Sequence, residues 1–248
     1  MYRKLLASRV FERQVALISG GCSGVGRTLA TRLAQAGAPL ALLDLDPSAL
    51  EGLVEHLVDH HNAEVLGLPC DVTDAQAVER AVALLGERFG GIDLLVCCAA
   101  VGHRGAVLDS DPEAFRQVMA VNFFGALHCA RAALPSLLAR RGQIVAFGAP
   151  PAFSPPRPGH GAEVASRQAL HGLFETLRRE IAADGVNVML VCPGTVADDP
   201  DGEVPSDDDT PSAQEIAEAI FQGALRRRHL LVPSGAGWRT RLLARLAP

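Results

Sequence analysis

His160, Glu163 and Arg167 are the residues best placed in this sequence to hold or move a proton. The stretch 162–183 carries the apolar spacing of a helix. Positions four apart share a helix face, so Glu163 and Arg167 are expected to meet. A carboxylate is ionised near neutral pH, and an adjacent guanidinium favours that form. Glu163 is therefore a poor proton donor. It suits a general base, or a group that orients an amine or hydroxyl. Arg167 can hold a ribose hydroxyl or an anionic substrate group with its planar fork. His160 lies in the loop just before Glu163, and its bland reading is an exposed loop histidine. His103 and Cys98 are further residues for the same cleft, with a buried structural thiol the simpler reading of Cys98.

A second group points to a nucleotide. Gly20, Ser23, Gly24, Val25 and Gly26 follow an apolar run, Val15–Ser19, and precede a helical pattern read over Arg27–Ala36. Glycines between a strand and a helix permit a tight turn, backbone approach to a pyrophosphate and close helix–sheet contact. The helix start supplies amide donors and a positive dipole end. Asp44 ends the next strand, where a carboxylate accepts from adenosine ribose hydroxyls and repels a 2′-phosphate, so NAD(H) is favoured over NADP(H). Asp71 ends the third strand. It reads equally as an adenine contact and as a cap for the helix that follows.

These residues need a scaffold, and the chain alternates strand and helix throughout. Strands are read at Val15–Ser19, Pro39–Leu43, Ala63–Leu68, Ile92–Cys98, Gln143–Phe147, Val186–Val191 and His229–Pro233. Helical patterns lie between them, including 75–89 and a long one over 113–139 broken near Gly125. The strands are continuous apolar runs, as in a parallel sheet covered on both faces. The fold class is α/β: a Rossmann-type doubly wound parallel sheet of about seven strands with helices on both faces. No linker divides the chain, so residues 1–248 are read as a single domain, with an acidic lid-like segment 198–212 and a basic C-terminal helix 238–246.

The net charge of −5 argues against nucleic acid as a partner. The six cysteines have no metal-ligand spacing and read as buried thiols. No metal site is expected. No apolar run reaches the length of a membrane span and no signal-peptide pattern is read, so a cytoplasmic protein without a transmembrane segment is expected.

From about residue 12 to 233 the chain resembles the short-chain dehydrogenase/reductase (SDR) family. Ser19–Gly26 is similar to its Thr-Gly-x-x-x-Gly-x-Gly loop, and Asp71–Val72 to its Asp-Val adenine contact. Asn122 resembles its helix Asn, which holds a catalytic water, and Pro193–Gly194 its turn beside the nicotinamide. Its Asn-Asn-Ala-Gly segment appears as Cys97–Cys98–Ala99–Ala100, with Cys98 and Ala99 at a strand end facing cofactor. Ala100 cannot relax into the left-handed backbone open to glycine, so a modest local shift is expected. The resemblance also implies a homo-oligomer, dimer or tetramer, built on the long helices around 113–139 and 162–183.

The chemical half departs from the pattern. The family's Tyr-x-x-x-Lys appears as Glu163 to Arg167, and its serine position as Gly148–Ala149. Tyr2 is the only tyrosine and Lys4 the only lysine, both ahead of the first strand. The resemblance therefore implies an NAD(H)-binding protein without ordinary alcohol–ketone hydride transfer. The alternatives are a repurposed enzyme using Glu163 with His160 or Arg167 for dehydration, isomerisation or cyclisation, and an unconventional NAD-dependent oxidoreductase. A filled cleft favours a silent binder; an open cleft with Glu163 and a second polar group converging favours a catalyst.

Overall fold

Seven parallel strands form one sheet in the order β3-β2-β1-β4-β5-β6-β7. They are β1 Ala16–Ser19, β2 Leu40–Asp44, β3 Val65–Pro69, β4 Leu94–Cys97, β5 Gln143–Phe147, β6 Asn187–Val191 and β7 Leu230–Leu231. The coordinates are a computed structural model describing residues 10–148, 158–193 and 211–232. The helices are α1 Gly24–Ala34, α2 Pro47–His61, α3 Ala75–Phe89, α4 Pro112–Met119, α5 Ala126–Arg140, α6 Gly161–Glu180 and α7 Ala213–Leu225. The order reverses at β1, whose neighbours are β2 on one side and β4 on the other, which opens a crevice at the carboxyl ends of those strands.

Successive strand residues feed opposite faces. Leu17, Leu43, Leu95 and Ile144 pack against Val78 and Leu85 of α3, Cys129 and Leu137 of α5, and Phe174 of α6. Ile18, Leu42, Val96 and Val145 pack against Leu29 and Leu33 of α1, Leu53 and Leu57 of α2, and Ile216 and Ile220 of α7. The two faces thus have two cores, and the doubly wound sheet read from the sequence is the fold.

Most sequence-read boundaries shift by a residue or two; Gln143–Phe147 and 75–89 do not. The last strand is shorter than His229–Pro233, spanning only Leu230–Leu231. The first helix begins at Gly24 rather than Arg27. The glycines thus belong to its opening turn as well as to the loop. Asp74, not Asp71, is the cap of α3: its carboxylate accepts from the amides of Gln76 and Ala77.

The break expected near Gly125 is a π-helical segment, Ala120–Gly125, joining α4 to α5. Gly125 sits against Val72, where a Cβ would lie 2.6 Å from Cγ2. By length and composition, Pro112–Arg140 is apolar enough to cross a membrane. Its Val118, Ala126, Cys129, Ala133 and Leu137 are buried within the domain, which is the behaviour of a core helix. Of the positions singled out in the sequence, residues 198–210 of the acidic segment 198–212 and the tail 238–246 lie outside the described residues, as do Tyr2, Lys4, Ala149 and Gly194.

Candidate active site

The glycine loop has the geometry its sequence promises. Gly20 has φ +66°, and a Cβ there would lie 2.6 Å from the backbone nitrogen of Ala99, so the loop closes against the end of β4. A Cβ on Gly26 would collide with the carbonyl oxygen of Gly20. Gly24 differs: φ is +47°, yet a Cβ would meet nothing within 4 Å. Ser23 caps α1 by position only, its side chain making no cap hydrogen bond. Val25 follows, half-buried in the first turn. That helix start has exposed Ser23 and Gly24 in front of it.

Asp44 stands at the end of β2. One carboxylate oxygen accepts from the Cys22 amide at 2.9 Å, the other from the Asp46 amide at 3.3 Å. The Cys22 thiol beside it is pushed up to about 12, chiefly by burial and then by the Asp44 charge. Asp71 is exposed and makes an Asx turn, accepting from the amide and hydroxyl of Thr73 at 2.9 and 2.8 Å. Val72 is buried, its carbonyl 2.9 Å from Nδ1 of His128. Pro193 is buried just beyond β6.

Across the crevice, Cys98 and Ala99 continue β4, with their amides donating to the carbonyl and hydroxyl oxygens of Ser19 at 3.0 and 3.4 Å. Burial pushes the Cys98 thiol up to about 12, which leaves it a protonated structural thiol at neutral pH. All six cysteines are free. Ala100 is not among the residues with positive φ, so the segment has taken an ordinary backbone there.

Asn122 is buried. Its Oδ1 accepts from the Val101 amide at 2.8 Å, and its Nδ2 donates to the Val101 carbonyl at 3.1 Å and to Ser166 Oγ at 3.0 Å. Its side chain is spent on tying the loop after β4 to α6. Ser166, fully buried, passes the tie on by donating to the carbonyl of Glu163 at 2.8 Å. The sequence signal for Ser166 was only its place between Glu163 and Arg167, and the spacing reading passed over it.

Glu163 and Arg167 do meet, with Oε1 2.7 Å from Nη2. The other oxygen, Oε2, lies 3.2 Å from Nδ1 of His160. A cleft of about 380 Å³ opens here, lined by Ala100, Val101, Gly102, His103, Arg104, Glu163 and Arg167. His160 contacts Glu163 without being among the residues that line this cleft. His103, a secondary reading from sequence, is on the wall, its Nε2 2.9 Å from Ser110 Oγ. The rim is pinned where Gly105 pairs with His160 in a parallel bridge, its amide donating to Gly159 at 3.0 Å.

A family model for short chain dehydrogenases matches residues 14–209. The chain belongs to the short-chain dehydrogenase family. Among relatives, this SDR is 35% identical over 186 residues to 2,3-dihydroxy-2,3-dihydro-p-cumate dehydrogenase of Pseudomonas putida, covering 75% of this chain and 71% of that one. It is 30% identical over 185 residues to D-beta-hydroxybutyrate dehydrogenase of Rhizobium meliloti, covering 74% and 71%. Among solved structures, this SDR resembles an alcohol dehydrogenase from the archaeon Thermococcus sibiricus complexed with 5-hydroxy-NADP, at TM-score 0.82 and 27% identity, covering 90% and 97%. It also resembles an SDR from Burkholderia phymatum in complex with NAD, at TM-score 0.81 and 28% identity, covering 93% and 92%.

Proposed function

We propose that this SDR binds NAD(H) in the crevice between β1 and β4 and does not run alcohol–ketone hydride transfer with the family's phenol acid. The solved relatives are complexed with NAD in one case and an NADP derivative in the other, so the preference rests on Asp44. A carboxylate offers about four acceptor positions. The amides of Cys22 and Asp46 take two at Asp44, leaving two for a pair of ribose hydroxyls. Gly24 and the first turn of α1 would receive the pyrophosphate, and Arg167 a ribose hydroxyl. A bound nicotinamide would bring the capacity to supply or accept a hydride, which needs a partnering proton donor for a carbonyl substrate.

The observation that carries the loss of ordinary chemistry is the double engagement of Glu163. This residue stands where the SDR resemblance places the phenol, with a cation on one oxygen and an imidazole on the other. A carboxylate paired with a guanidinium favours its ionised form, which has no proton to give a carbonyl oxygen as hydride arrives. The test is an NADH fluorescence titration beside a turnover assay on a panel of alcohols and ketones. Binding without a change in nicotinamide absorbance is expected; turnover of any pair would overturn the reading.

A second reading is favoured by the open cleft. Glu163, oriented by Arg167 and His160, accepts a proton from a ligand atom, as a base held by a third group does. Solvent deuterium entering a ketone beside its carbonyl, and lost in Glu163→Gln, would support it. Equal exchange in the variant would end it.

A further inference from the structure

We infer that the cleft accepts a small organic carboxylate, its head held by Arg104 and Arg167 and its body lying on Ala100 and Val101. The inference deepens the second reading and rests on the cleft being the ligand site. Two arginines and one glutamate are among the residues lining the cavity, a balance of +1 without His103. Glu163 is already matched by Arg167 at 2.7 Å. Arg104 is the uncompensated charge: among the described residues, none of the ion pairs includes it.

Arg104 is exposed, but its backbone is held on both sides. His103 is tied to Ser110, and Gly105 is bridged to the chain at Gly159 and His160. Arg104 is therefore carried on a fixed rim. Arg167 gives one terminal nitrogen to Glu163, and its fork retains further donors for a planar anion. Ala100 and Val101 are exposed apolar neighbours of these heads. Glu163, on the same wall, decides between anions. The lining thus carries a net charge of +1 without His103, so a monoanion completes its neutralisation whereas a dianionic phosphate leaves one charge unmatched, which favours a carboxylate.

The test is calorimetric titration of the full chain with hexanoate, hexan-1-ol, hexylamine and hexyl phosphate, with and without NADH. Hexanoate is expected to bind best, and Arg104→Ala to weaken it about tenfold, or 1.4 kcal/mol, while leaving the hexanol affinity unchanged. A melting curve checks that the variant folds, as its exposed position predicts. The inference fails if hexanoate does not bind, if hexanol or hexylamine binds as well, if hexyl phosphate binds better, or if Arg104→Ala is silent. Hexanoate binding without any NADH binding would remove the dinucleotide reading and leave this one standing.

Discussion

Two glycines of the same loop should fail in different ways when each is given one methyl group. At Gly24 the added Cβ meets nothing within 4 Å, so the only native-state cost is the left-handed backbone at φ +47°. That costs about 1–2 kcal/mol. The stiffer unfolded chain returns about 0.4–1 kcal/mol. The net loss is about 1 kcal/mol, a fall in Tm of about 2–4 °C for a chain of this size. At Gly20 the Cβ lies 2.6 Å from the Ala99 nitrogen, 2.7 Å from its Cα and 2.9 Å from the Cys98 carbonyl carbon. These are backbone atoms with no flexible end to yield, so overpacking adds about 1–3 kcal/mol to the strain. Gly20→Ala should therefore lose about 2–4 kcal/mol of stability after the same unfolded-state offset. Gly24→Ala should stay folded yet bind NADH at least about tenfold more weakly, because its methyl group stands where a pyrophosphate must approach. Urea denaturation and NADH fluorescence titration on both variants decide the matter. A folded Gly24→Ala that binds NADH like the wild type, or a Gly20→Ala as stable as the wild type, would refute the reasoning.

Asp44→Ala should weaken NADH more than NADPH, narrowing the difference between them in paired titrations; an unchanged ratio would show that Asp44 does not set it. Asn122→Ala removes three hydrogen bonds from a buried side chain and should cost about 2–4 kcal/mol in urea denaturation. Glu175 is held down at about 2, mainly by the hydrogen bond from Arg178. Its folded value lies below the ordinary 4.5, so its stabilising contribution is present above 4.5 and is lost as pH falls toward 2. The advantage of the wild type over Glu175→Gln should shrink across that window in acid unfolding curves.

The sheet was legible because each buried parallel strand is an unbroken apolar run bounded by turn residues. Gln143–Phe147 shows this without a shifted boundary; the helix 75–89 was legible from its end signals, Asp74 opening it and Gly90 closing it. Asp44 and the glycines were legible because strand–glycine–helix order is local. Asn122 was found as a residue but not by its contacts. Its bonds to Val101 and Ser166 cross 21 and 44 positions, and no periodicity carries such a pairing. Arg104 was missed for a related reason. It sits in a loop without pattern, brought to α6 by the Asn122 tie and by the bridge between Gly105 and His160, neither of which is periodic. Asp71 and Asp74 offered the same side chain three positions apart, and the backbone turn decided which became the cap.

The π segment at 120–125 makes this protein sensitive to insertion and deletion in a way its side chains do not reveal. Each residue of an α-helix advances the chain about 100° around its axis. One residue removed there would turn α4 relative to α5 by about that angle. Asn122 would swing away from Val101 and Ser166, releasing the loop that carries His103 and Arg104. Single substitutions on the outer face of this helix change only local contacts, whereas a one-codon change in length would put its two halves out of phase. Chain length across Ala120–Gly125 is therefore a stricter determinant of the cleft than most of the amino-acid identities around it.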